Sequence, residues 1–388
     1  MAGIYIHIPY CRQPCYYCNF HFKASQRDKD AFLDALYAEI GLRQDFFQGL
    51  ADFDGIKTLY IGGGTPSVLS VTELVSVFDR LQEHFSLDGV TEVTLEGNPD
   101  DLSLPKLADL KQHTPVNRLS VGIQSFFADD LVYMNRIHTP GQAEKSLENA
   151  MESGFLNITA DLIYGTPTMS DASWQDNLRH LVAAGVPHIS AYALTVEEKT
   201  PLEYLIRKGK AAPVDDAQAG RQFDLMCDFL DQHGYRHYEI SNFARKGYES
   251  RHNMSYWTGV PYLGLGPSAH SYIQGKRSWN VANTRAYIKD ISQGIIPCQG
   301  ETLSDIQALN EYIMTSLRTM WGCDLTHVHN KWGSKYMMTL KQKATSYLRQ
   351  GLMHNNEEQF LVLTRKGQFF ADGIAADLFF QENDIKHV

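Results

Sequence analysis

Six short β-rich runs, residues 4–8, 56–61, 92–96, 118–122, 156–162 and 188–194, alternate with longer amphipathic stretches in the first half of this 388-residue sequence. The clearest helical patterns between them are 27–47, 72–85, 141–154 and 172–184. Strand, helix and strand at this spacing predict parallel neighbours, because parallel strands need long crossovers. The arrangement fits either an open doubly wound sheet or most of a barrel. In both, chemistry sits at the C-terminal ends of the strands. Polar and glycine-rich motifs follow these strands one after another, at 11–18, 62–66, 96–99, 124–125 and 161–167. One such motif would be weak; five at one rim predict a site.

The first motif reads Cys11-Arg-Gln-Pro-Cys15-Tyr-Tyr-Cys18. Iron–sulfur clusters are held by cysteine thiolates. Three thiols on a four-iron cube would leave one iron open, like the vacant position of a catalytic metal site. Structural zinc, with His7 or His21 as fourth ligand, is the alternative. Its usual spacing and its second ligand pair are both missing. Cys227, Cys298 and Cys323 stand alone and read as small core residues. Six cysteines so distributed are no disulfide framework.

The other rim motifs suggest a polar ligand. Gly62-Gly63-Gly64-Thr65-Pro66 lets backbone approach a bound group closely. Glu96, at a strand end, suits an ammonium or a ribose hydroxyl, and Gln124 is an amide just past another. Arg136 could pair with a carboxylate. Asp161 lies in a strongly apolar strand, where an unpaired charge would be costly.

From about residue 302 the pattern changes. Residues 304–320, with Ser304 as N-cap, and 335–349 read as helices, 360–363 as a strand, and 364–370 as the start of another helix. This order predicts a compact winged-helix-like α+β unit. Its acidic and basic residues nearly balance, so it offers no basic face for DNA. The expected organisation is a large domain over 1–235, a linking segment over 236–300 and a small domain over 301–388.

A hydrophobic fraction of 43% and a charged fraction of 21% are those of an ordinary globular protein. No run approaches the ~20 apolar residues of a membrane span. MAGIYIHIPYC has neither a basic leader nor a cleavage site, so a cytoplasmic location is expected. A net charge of −10 argues against nucleic acid as a partner.

The cysteine loop, the strand Tyr5-Ile-His-Ile-Pro9 before it and the later motifs resemble the radical S-adenosylmethionine (SAM) superfamily. The resemblance is closest to the branch holding oxygen-independent coproporphyrinogen III oxidase and the haem chaperone HemW, and it runs essentially the whole length. It implies an α/β fold: an incomplete (β/α)6 radical SAM barrel with a smaller C-terminal winged-helix-like α+β domain. It also implies a 4Fe–4S cluster on Cys11, Cys15 and Cys18, with SAM chelated to the open iron. SAM contacts would come from Tyr5, Gly63, Gly64, Thr65, Glu96, Gln124, Arg136, Asp161 and Ala193, and Tyr17 would pack on the adenine.

Two departures separate the chain from the oxidase. Asn19-Phe20 follows the third cysteine where the oxidase has Gly-Cys, and only three residues precede Ile4 where the oxidase has an extension. Both match HemW. So does Arg251-His252-Asn253-Met254-Ser255-Tyr256-Trp257, which carries the H-N-x-x-Y-W motif that HemW proteins associate with haem. Read alone, it could be an aromatic core patch. Neutral imidazole is nevertheless a natural ligand of haem iron, which makes His252 the haem-binding candidate, with His270, His237 and Tyr262 behind it. The resemblance thus implies a haem chaperone serving apo-haemoproteins, membrane-associated respiratory proteins among them. It adds placement at the inner membrane face and homodimerisation. The alternative is the oxidase, a radical decarboxylase.

Overall fold

The structure is a computed structural model that describes residues 1–51, 53–357, 359–381 and 384. Its first part runs β1 (Ala2–Ile8), α1 (Lys29–Leu42), β2 (Ile56–Gly63), α2 (Val71–His84), β3 (Glu92–Gly97), α3 (Leu104–His113), β4 (Arg118–Gln124), α4 (Ala128–Tyr133), α5 (Pro140–Glu152), β5 (Asn157–Tyr164), α6 (Asp171–Ala183) and β6 (His188–Ala193). Strands β1 to β6 pair in sequence order, all parallel. Each is separated from the next by at least one helix, as the alternation predicts.

Helix α3 is absent from the helical patterns above. Pro105 in its first turn masks it, although proline is well suited to a helix start. Helix α1 ends at Leu42, short of the expected 47, and the chain continues in turns that still bury Phe47. Ser70 and Thr139 close capping boxes on α2 and α5, which fixes where these helices begin.

Along most of their length the strands alternate. In β4, Leu119, Val121 and Ile123 face outward into the main hydrophobic core, against residues such as Leu107 of α3 and Leu147 of α5. Ser120 and Gly122 face a central cavity instead. A flat sheet would hold β2 and β6 roughly 19 Å apart. Tyr60 of β2 and Ser190 of β6 line the same cavity, so the sheet curls around it. It does not close: β12 and β7 are its two edges. This is an incomplete (β/α)6 barrel.

Downstream lie α7 (Pro201–Arg207), α8 (Asp216–Gln232), β7 (Arg236–Glu239), β8 (Asn242–Ala244), α9 (Arg251–Trp257), β9 (Tyr262–Leu265), β10 (His270–Ile273), β11 (Lys276–Asn280), α10 (Thr284–Ile291) and β12 (Cys298–Thr302). The stretch expected to link two domains thus contributes strands to both ends of the large sheet, in the order β12-β11-β10-β9-β1 through β6-β8-β7.

The C-terminal unit comprises α11 (Asp305–Leu317), β13 (Cys323–Asp324), α12 (Leu325–Trp332), α13 (Ser334–Arg349), β14 (Met353–Asn356), β15 (Phe360–Leu363), α14 (Arg365–Gln368) and α15 (Ala371–Leu378). Helix, strand, two helices and a two-stranded wing is winged-helix order, and the unit has its own core. Ser304 closes a capping box on α11. The unit docks on β7 through backbone bonds from Ile240 N to Arg318 O (3.0 Å) and from Met320 N to Tyr238 O (3.1 Å). Among the described residues no helix is long and apolar enough to cross a membrane.

Candidate functional site: a cysteine-lipped cavity in the barrel

A cavity of about 500 Å³ opens at the C-terminal rim of the parallel strands. Cys11, Cys15 and Cys18 line it, and so do Tyr17, Gly63, Gly64, Thr65, Glu96, Gln124, Arg136, Asp161 and Ala193. The structure therefore brings twelve of the fourteen residues expected from the sequence to one wall.

The cysteine loop is held at both flanks. Cys11 N donates to Lys23 O (3.0 Å), and Tyr16 N to Met134 O (3.1 Å). The glycine turn after β2 presses against its base: Gly64 N donates to Ile8 O (2.8 Å) and Thr65 N to Tyr10 O (2.7 Å). A Cβ on Gly64 would meet Tyr10 O at 2.7 Å and Cys11 Sγ at 3.0 Å. Thr65 Oγ1 reaches Cys11 Sγ (3.4 Å) and Arg136 Nη1 reaches Cys15 Sγ (3.3 Å), so neutral and cationic donors already face the sulfurs. Burial pushes the thiols of Cys11 and Cys18 up to about 11.

Arg136 is anchored by Asn98 Oδ1 (2.7 Å) and Gly122 O (2.8 Å), while its buried Nε has no hydrogen-bond partner. Gln124 ends β4 at a register shift with φ 62°. That left-handed backbone is costly for a residue with a side chain and tends to accompany function.

Two buried carboxyls stand deeper. Glu96 accepts from Tyr60 Oη (2.6 Å) and Gly63 N (3.1 Å). Burial raises its pKa to about 7, with help from the nearby Asp161 charge, while the Tyr60 and Gly63 bonds oppose the rise. Asp161 accepts from Ser120 Oγ (3.1 Å), and burial raises it to about 6. Together they make an acidic pocket that favours a cationic or hydroxyl-bearing ligand.

Two expected residues lie off the wall. Tyr5 stacks behind Tyr60 and its hydroxyl meets His7 Nδ1 (3.1 Å). His252 is 1% exposed; Nδ1 meets Thr58 Oγ1 (2.8 Å) and Nε2 meets Tyr256 Oη (2.8 Å). Its ring stacks on Tyr60 at 5.1 Å, and burial lowers its pKa to about 3. Both nitrogens are thus spent inside the protein, and it is the adjacent Asn253 that reaches the cavity. His237 is packed on Phe243 and bonds Ile240 O (2.9 Å).

Tyr60, Asn98, Ser120, Ser190, Tyr192 and Asn253 line the cavity without having been singled out in the sequence. A signal existed for the strand residues. Tyr60, Ser120, Ser190 and Tyr192 are polar-edged side chains at alternate, inward positions of otherwise apolar runs.

The donor set suits a cluster better than one ion. Among the described residues no three His, Cys, Asp or Glu side chains converge closely enough to share a single metal. His7 spends Nδ1 on Tyr5 Oη (3.1 Å) and Nε2 on His21 O (2.8 Å), and so has no ring nitrogen left for a zinc, while His21 turns its Nε2 to Thr284 Oγ1 (3.0 Å). Three separated thiols, a backbone cradle that a Cβ would fill and the unpartnered Arg136 Nε fit a multi-iron cluster with a polar ligand beside it.

A curled parallel sheet with three cysteines at its rim defines a radical SAM protein, and residues 5–181 match the Radical SAM superfamily. Residues 303–370 match the HemN C-terminal domain. The chain is 33% identical to the haem chaperone HemW of Mycobacterium tuberculosis over 97% of its length and 94% of that protein, and 33% identical to HemW of Bacillus subtilis over 96% and 98%. Coproporphyrinogen III oxidase (HemN) from Escherichia coli shares the fold, with a TM-score of 0.81 at 23% identity over 97% of this chain and 90% of that one. Within the superfamily the chain belongs to the HemW family.

Proposed function

We propose that this chain is a haem chaperone that carries a SAM-ligated 4Fe–4S cluster and hands haem to apo-haemoproteins, membrane-associated respiratory proteins among them. The observation that carries the haem reading is kinship with HemW proteins along nearly the whole of both chains. The cavity supports the cluster and SAM. Cys11, Cys15 and Cys18 would hold the cluster, which when reduced supplies one-electron chemistry.

The chain's own residues do the rest. Arg136, fixed by Asn98 and Gly122, sets a positive charge beside Cys15 and keeps an N–H for a ligand carboxylate. Glu96 sits at the glycine turn, placed for an ammonium, and Asp161 lies farther in. A cation bound there draws the proton off Glu96. Tyr17 closes the wall with a flat ring suited to an adenine.

The test is anaerobic. Cluster-reconstituted chain is titrated with haem and then mixed with an apo-haemoprotein, with Cys15→Ser alongside. Saturable binding near one haem per chain, transfer to the recipient, and a cluster lost in the variant are expected. Steady conversion of coproporphyrinogen to protoporphyrinogen with SAM and a reductant would overturn the chaperone reading in favour of the oxidase.

A further inference from the structure

The cavity is the size of a one-ligand site, since pockets for single small ligands run to a few hundred cubic ångströms. With SAM and a cluster in it, a porphyrin must lie elsewhere. The H-N-x-x-Y-W imidazole is sealed on both nitrogens, which removes the obvious iron ligand.

The sheet register points to another. Strand β9 runs parallel to β1, with Tyr262 opposite Gly3 and Gly264 opposite Tyr5. Tyr5 faces the barrel interior, stacked on Tyr60, so Tyr262 does too. Carrying the register outward, Tyr272 pairs with Tyr262, His270 with Trp279 and Tyr272 with Arg277. These side chains therefore continue the barrel's inner wall past its edge as an open shelf. The opposite face is packed: Asn280 bonds Glu39 of α1 (2.7 Å), and Ser271 is buried.

On this shelf His270 is exposed, and neither ring nitrogen has a hydrogen-bond partner among the described residues. Its ring lies 6.0 Å from that of Trp279 at 30°. Burial and the neighbouring Arg277 lower its pKa, which favours the neutral imidazole that iron binds. His7 abuts Gly63 of the cavity wall and lies close enough to His270 to feel its charge, so shelf and cavity adjoin. Phe20, 70% exposed, hangs at the cavity mouth beside it.

Resting on the haem-chaperone reading, we infer that haem binds on this shelf, with His270 as axial ligand and Trp279 against the macrocycle. Neutral imidazole is a standard haem ligand, and Trp279, tilted 30° from the His270 ring, would meet the macrocycle by its edge. His327 is another exposed imidazole in an aromatic setting, beside Tyr312 and Trp332 in the C-terminal unit. It serves as the control.

Haem is titrated into full-length wild type, His270→Ala, Trp279→Leu and His327→Ala, followed by absorbance and resonance Raman. His270→Ala should lose the imidazole-ligated spectrum and bind at least tenfold more weakly, with added free imidazole restoring the spectrum. Trp279→Leu should weaken binding and keep the ligation signature, and His327→Ala should match wild type. Unchanged ligation in His270→Ala would overturn the shelf and leave the chaperone reading standing. No saturable binding by wild type would sink both.

Discussion

Glu96 and Asp161 hold their protons more firmly in the folded chain than in water. Burial carries them to about 7 and about 6, from ordinary values of 4.5 and 3.8. The unfolded chain releases both protons near those ordinary values, so across the interval the native state binds more protons. The contribution of these two carboxyls to the stability of the ligand-free protein therefore falls as pH rises from about 4 to about 7, while buried imidazoles such as His252, whose pKa burial lowers, contribute the opposite slope. The Glu96 share is on the order of 3 kcal/mol, since one pKa unit is about 1.4 kcal/mol. Urea midpoints followed from mildly acidic to mildly alkaline buffer should show the advantage of wild type over Glu96→Gln shrinking as pH rises. A difference that grows over that window would mean that Glu96 is a well-paired anion in the folded state.

The glycine turn after β2 shows how an element is tuned to its neighbour. Alanine at Gly64 would drive a methyl into Tyr10 O and Cys11 Sγ, neither of which can retreat without moving the loop. Gly64→Ala should destabilise the chain by roughly 1–3 kcal/mol and lower cluster occupancy, read from urea unfolding and iron content. Normal iron content at normal stability would show the turn to be slack.

The rim was legible because each motif sits where a β-rich run ends, and both cysteine spacing and glycine runs are local signals. The wing strand at 360–363 was equally plain, being apolar and bounded by polar residues. The floor was not. Strands β9 to β12 are short, antiparallel to one another and interrupted by Gly266 and Gly275, so they read as loop. His252 looked like a ligand because sequence shows a side chain's chemistry and not its partners; Thr58 and Tyr256 take both nitrogens only once β2 and α9 meet.

At the scale of the molecule, Arg318 joins the two units. Its guanidinium pairs with buried Glu239 (3.1 Å) and with Asp372 (2.7 Å), and lies 4.9 Å from the centre of the Trp257 ring. Arg318→Ala leaves Glu239 with only its Asn242 and Ser241 donors. The expected cost is about 3 kcal/mol, with a broadened or split unfolding transition as the C-terminal unit loosens. A single transition of unaltered midpoint would show that the backbone bonds of β7 suffice to hold the units together.

Helix α9 spans less than two turns, yet its ends serve different masters. Asn253 looks into the cavity, and Trp257 lies under the arginine of the other unit. Glu92 pins its first turn by accepting from the backbone N–H groups of Arg251 and His252. One short rod, pinned by Glu92, thus spans from the cavity wall to the seam between the two units.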